Sequence, residues 1–168
     1  MHNSSGFTII ELVTTLVIAS IIITMAIYSF ADQTPHRQLK DASQTLIGNL
    51  RLARQKAIAD GSATTISFSV HTNKYLSPVV GEQTLPNHIR FGKLNRIKRN
   101  CMGEKIGQNP ITFDNDKVTL EPKATFQPNG TITGMGTVYL TNMDETVAII
   151  VNITGQVRQC WWSENGWR

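Results

Sequence analysis

The sequence predicts an α+β fold in which a long, kinked N-terminal helix packs on an antiparallel β-sheet head. Three observations carry that expectation. Residues 7–31 form an apolar run whose only charged residue is Glu11. Residues 35–60 place apolar side chains three and four apart, the period of one helix face. Beyond Gly61 the chain changes to short alternating or apolar runs separated by Asn, Asp, Gly and Pro, the pattern of strands and turns.

The first run, residues 7–31, is roughly 37 Å long as a helix at 1.5 Å per residue. A bilayer core is spanned by about 20 apolar residues, so the run is a membrane-spanning candidate. It is too long for the apolar stretch of a secretory signal peptide, which also precedes its cleavage site. A lone carboxylate costs about 2.5–3.5 kcal/mol at a bilayer centre and less near the interface. Glu11 therefore needs a partner.

Asp32-Gln33-Thr34-Pro35 breaks the apolar pattern, and Pro35 disfavours helix in the residue before it, so a kink or local melt is expected there. The second helix, about 35–60, gathers Leu39, Ala42, Leu46, Leu50, Ala53 and Ala57 on one face. Arg37, Lys40, Arg51, Arg54 and Lys56 fall mostly on the rest, and Gly61 is the C-cap candidate. Strands follow at 64–70, 74–80, 111–113, 118–120, 137–140 and 147–151, the last apolar enough to be central. Residues 32–168 suffice for one domain with its own core and not for two.

All 16 Lys and Arg lie beyond residue 31, with every one of the 12 acids except Glu11. This modest positive balance permits a polyanionic partner without requiring one. Cys101 and Cys160 belong to no Cys-x-x-Cys pair and have no His near enough for a zinc site. A membrane segment implies an exported head, and an exported head implies a Cys101–Cys160 disulfide. His2, His36, His71 and His88 are scattered, with no nucleophile motif, phosphate loop or metal-ligand spacing. The expectation is a non-enzyme without cofactor or metal.

Gly6-Phe7-Thr8-Ile9-Ile10-Glu11-Leu12, followed by the long apolar helix, resembles the processing site of type IV pilins and type II secretion pseudopilins. The resemblance implies cleavage of the leader, residues 1–6, by prepilin peptidase between Gly6 and Phe7, with N-methylation of Phe7. It implies that residues 7–31 are first an inner-membrane anchor and then part of a fibre core. There Glu11 would neutralise the terminal amine of a neighbouring subunit, and opposite charges in hydrocarbon are tolerable when paired. The leader carries no Lys or Arg, a departure from family leaders.

Phe126-Gln127-Pro128-Asn129-Gly130, a strand, and Ile149-Ile150-Val151 to Gly155-Gln156-Val157-Arg158 resemble the C-terminal half of minor pilins of the GspH/FimT group. The implied function is a minor pilin or pseudopilin of a type IV pilus or type II secretion pseudopilus, at or near the tip. Its partners would be other pilins or pseudopilins, with the head in the periplasm.

The alternative is a DNA-binding minor pilin of DNA uptake. Arg90, Lys93, Arg96, Lys98, Arg99 and Lys105 crowd the 90–105 segment, with Glu104 the only acid among them. Such a cluster either contacts phosphates or is the solvated outer face of a loop or hairpin. Some DNA-binding FimT-like pilins carry Gly-Arg-x-Arg here; this chain keeps Gly155 and Arg158 but has Gln156 at the first Arg position. Trp161, Trp162 and Trp167 either stack on bases or cover the sheet and disulfide.

Overall fold

Helix α1 (Ile9–Ala31) begins where Thr8 caps it: the Glu11 amide donates to Thr8 Oγ1 at 3.3 Å and to the Thr8 carbonyl at 3.1 Å. The structure is a computed structural model and describes residues 8–31, 34–115, 119–163 and 166–168, with backbone alone at 24–31, 34 and 163. Two compact units divide between Pro35 and His36. Of the 32–35 break that the sequence predicts, Asp32 and Gln33 lie outside the described residues, while Thr34 and Pro35 are helical.

In the first unit, Ile9, Ile10, Leu12, Val13, Leu16, Val17, Ile18 and Ile21 to Ile23 all expose apolar surface. A helix apolar all round belongs in a nonaqueous setting. Three of its described hydroxyls bond within the helix: Thr14 donates to the Glu11 carbonyl at 3.0 Å, Thr15 to Leu12 at 2.8 Å and Ser20 to Val17 at 2.7 Å. Among the described residues no helix is long and apolar enough to cross a membrane. The 7–31 run extends beyond the described side chains of α1 at both ends.

The second unit is built on α2 (Thr34–Asp60) from His36 onward. Leu39, Ala42, Leu46, Leu50, Ala53 and Ala57 are all buried, so the three-four stripe is the packed face. Each Leu so buried contributes about 1.5–3 kcal/mol. Asn49 is buried beside them, and its Nδ2 donates to Tyr75 Oη at 2.8 Å. Gly61, at φ +61°, supplies the left-handed residue that ends the helix.

Two antiparallel sheets complete the head. The first has the order β3-β2-β1-β5, from β1 (Thr64–Ser69), β2 (Lys74–Ser77), β3 (Gly81–Thr84) and β5 (Lys123–Phe126). The second has the order β4-β6-β7-β8-β9, from β4 (Arg90–Phe91), β6 (Gly136–Thr141), β7 (Thr146–Val151), β8 (Val157–Ser163) and β9 (Gly166–Trp167). Ile66, Phe68, Phe126, Val138, Leu140, Val147, Ile149 and Val151 meet the α2 stripe in one core. Phe68 stacks on Phe113 at 5.9 Å and meets the edge of Phe91 at 6.0 Å.

Several expected strands change. Residues 74–80 are strand only to Ser77, and a turn then returns as β3. Ile111 makes one bridge to Val138 rather than a strand. Thr119 and Leu120 are not strand: Leu120 is exposed and has φ +58°, while Val118 lies outside the described residues. The basic segment is not wholly a loop, since Arg90 and Phe91 pair with Thr141 and Leu140 of β6. β7 is the middle strand of its sheet, as its apolar composition predicts.

Candidate functional site

Gly6 and Phe7, the expected processing residues, lie outside the described residues. Glu11 stands in the first turn of α1. Thr8-x-x-Glu11 has the spacing of a capping box, and a negative charge at a helix N-terminus is favourable. The recorded half of such a box is the Thr8 Oγ1 that accepts from the Glu11 amide at 3.3 Å.

The 92–106 segment runs as a strap over the face of the second sheet that turns away from α2. Side chains alternate along a strand, so Val138 and Leu140 of β6 enter the α2 core while Tyr139 faces the other way. Tyr139 and Ala148 are nevertheless buried, as is Ile97 from the strap, and none of the three belongs to the α2 core. The strap is fixed by the Cys101–Cys160 disulfide, with a Cα–Cα distance of 6.3 Å. Trp167 Nε1 also donates to the Arg99 carbonyl at 2.7 Å. Burial, with the Glu104 charge second, pushes the Tyr139 phenol up to about 12. Tyr139 Oη and Trp162 Nε1 are both buried without a hydrogen-bond partner among the described residues.

The strap sorts the expected cations. Lys93 is tied back along the segment, its Nζ donating to the Gly107 carbonyl at 2.6 Å, and partial burial lowers its pKa, with Lys98 adding repulsion. Arg99 donates to the Gly103 carbonyl, closing a small turn that Asn100 organises by accepting from the amides of Met102 and Glu104, each at 2.9 Å. Arg90, Arg96, Lys98 and Lys105 are exposed. The tryptophans cover protein surface: Trp161 packs against the core, and Trp162 meets Trp167 edge-on at 5.4 Å.

Arg158 joins a different group. It lines a cleft of about 350 Å³ with Arg51, Arg54, Ile58, Gln156 and Val157. Arg54 is held there by donating from Nε to the Gly130 carbonyl at 2.8 Å and from Nη2 to the Thr154 carbonyl at 3.3 Å. Gly155, at φ +72°, permits this approach, because a Cβ on it would meet the Gly130 carbonyl oxygen. Sequence reading placed Arg51 and Arg54 on the polar side of α2; nothing local signals that the 152–156 turn returns to them.

The architecture defines an apolar N-terminal helix leading into a disulfide-bonded α+β head, the build of a fibre subunit. The profile described as Type II transport protein GspH matches residues 42–155, and that of the prokaryotic N-terminal methylation motif matches residues 1–27. The chain belongs to the GspH family of minor pilins and pseudopilins. Among solved structures it is similar to the minor pseudopilin EpsH from the type 2 secretion system of Vibrio cholerae, at 18% identity over 73% of this chain and 95% of that one, TM-score 0.42. It is also similar to the type IV minor pilin FimU of Pseudomonas aeruginosa, at 17% identity over 80% and 96%, TM-score 0.45. No curated protein matches it.

Proposed function

We propose that this chain is a minor subunit held in the inner membrane by residues 7–31, its head in the periplasm, until it is drawn into a pilus or pseudopilus at or near the tip. Prepilin peptidase cuts between Gly6 and Phe7, and the new Phe7 amine is methylated. In the fibre, Glu11 pairs with the Phe7 amine of a neighbour. The observation that carries the reading is Glu11 itself, a single carboxylate in the first turn of an otherwise apolar helix. Leaving a partner charge buried and alone costs about 3–5 kcal/mol, a hundredfold or more in an assembly equilibrium.

Glu11→Gln separates this role from capping, since Gln also completes a capping box. Co-expressed with partner pilins, Glu11→Gln and Glu11→Ala should both leave fibres nearly free of this subunit. Incorporation of either at the wild-type level would remove the pairing role.

The exposed cations of the 90–105 segment favour a second reading, in which the head binds DNA. Among the described residues, Arg90, Arg96, Lys98 and Lys105 have no carboxylate partner. Four phosphate contacts would give binding that falls roughly a hundredfold between about 50 and 200 mM salt. The check is a gel shift of the detergent-solubilised chain at low salt. No shift at micromolar protein, or one unchanged by Arg96→Ala, Lys98→Ala and Lys105→Ala together, ends this reading.

A further inference from the structure

Strand β8 runs along α2 in the opposite direction. His36 meets Trp161 at 5.5 Å between ring centroids, Gln44 Nε2 donates to Gln159 Oε1 at 3.2 Å, and Arg51 and Arg54 line one cleft with Val157 and Arg158. On its far side β8 is only partly covered. Strand β9 pairs with Trp162 and Ser163, and Arg168 exchanges both backbone hydrogen bonds with Trp161. In an antiparallel ladder the backbone groups of successive residues point to alternate sides. The N–H and C=O of Val157 and Gln159 therefore point to the same side as those of Trp161, where no described strand receives them.

This open edge adjoins the arginine cleft. Among the described residues no carboxylate lines the cleft, and neither Arg51 nor Arg158 has an acid partner. Arg54 is fixed by two carbonyls, so its position is set before anything binds. Ile58 is half exposed at the rim and offers apolar contact. An unpaired strand edge is a template for an added strand, whose main chain gives affinity and whose alternate side chains give specificity. Guanidinium groups recognise carboxylates by paired hydrogen bonds.

We propose that the 157–160 edge of β8 and the Arg51/Arg54/Arg158 cleft form one docking surface, which takes an extended acidic segment of a neighbouring pilin or pseudopilin subunit as an added strand. The proposal rests on the reading of the chain as an assembling subunit. Its backbone pairs with Val157 and Gln159, and its acidic side chains reach the three arginines.

The test uses the full chain in detergent micelles and a capped alternating Glu-Val octapeptide, independent of any fibre. The peptide should bind, and amide exchange at Val157 and Gln159 should slow on binding. Arg51→Glu with Arg158→Glu should weaken binding at least tenfold. Gln159→Pro removes an edge N–H without touching the β7 ladder and should weaken it comparably, whereas Gln159→Ala, which loses the same Gln44 contact but keeps the amide, should not. Failure of the peptide to bind at millimolar concentration would overturn the proposal. So would equal binding by a Lys-Val octapeptide, unchanged binding in Gln159→Pro, or displacement of the peptide by oligothymidylate, which would make the cleft a phosphate site. Because the peptide assay needs no assembly, its failure is distinct from failure of the Glu11 experiment.

Discussion

Changing Cys101 and Cys160 together to serine should lower the stability of the head by about 4 kcal/mol. The two residues stand 59 positions apart, and in the chain-entropy model a loop of that size restricts the unfolded chain by about this amount. The native fold adds its own reason. The strap buries Tyr139 and Ala148 under little apolar surface of its own, with Ile97 its one fully buried apolar side chain. Beneath it, Tyr139 Oη and Trp162 Nε1 both lack a partner among the described residues, and burying a donor without a partner costs about 1–3 kcal/mol. Noncovalent contact alone therefore holds the strap weakly. The paired serine variant should unfold at a urea midpoint lower by about 2 M for a slope near 2 kcal/mol/M, and strap amides should exchange faster than those of β7. Thiol labelling of the unreduced wild-type chain should find neither cysteine. A stability loss below about 1 kcal/mol would show that the strap is held by packing instead.

The same strap explains which parts of the fold were legible in the sequence. The α2 stripe was, because one side of that helix meets the core and the other meets water, so Leu39, Leu46 and Leu50 keep their spacing. β7 was, because Val147, Ala148 and Ile149 are buried on both faces and read as a continuous apolar run. β8 was not. Its outward residues, Cys160 and Trp162, meet the strap through the disulfide and the Trp167 ring rather than water, so polar-apolar alternation is lost. β3 escaped because Gly81-Glu82-Gln83-Thr84 is a polar edge strand with no buried side chain. β4 is two residues long, too short for any period to register. In the other direction, Leu120 drew a strand assignment from apolar character alone, although it is exposed at positive φ.

The candidate sites divide in the same way. The cysteine pair was readable because it is defined by residue type against a plain background, and the structure joins the two residues. The separation of Arg158 from the strap cations was not. It depends on the 152–156 turn closing on α2, a contact between Arg54 and Thr154 that spans 100 positions. The turn itself is set locally: Asn152 Oδ1 accepts from the Gln156 amide at 2.9 Å, and the Gly155 amide donates to the Asn152 carbonyl at 2.8 Å.

That closure makes Gly155→Ala the most damaging single methyl the head can receive among its turn glycines. Gly155 sits at φ +72°, where a Cβ costs about 1–2 kcal/mol from strain alone. Gly61, at φ +61°, carries the same strain but has nothing within 4 Å of an added Cβ. At Gly155 the methyl would overlap the Gly130 carbonyl oxygen and come within 2.9 Å of Arg54 Nε. Neither atom is a free end. The carbonyl belongs to the 127–130 turn, and Arg54 Nε donates to that same oxygen at 2.8 Å, so relief means separating the turns and breaking that hydrogen bond. Overpacking of this kind adds about 1–3 kcal/mol. Gly155→Ala should therefore lower stability by about 3 kcal/mol and Gly61→Ala by about 1 kcal/mol, compared by urea midpoints at equal slope. Gly155→Ala should also weaken the octapeptide, because the turn carries one wall of the arginine cleft. Equal losses at the two positions would mean that the 127–130 and 152–156 turns part without cost, and that Arg54 does not join them.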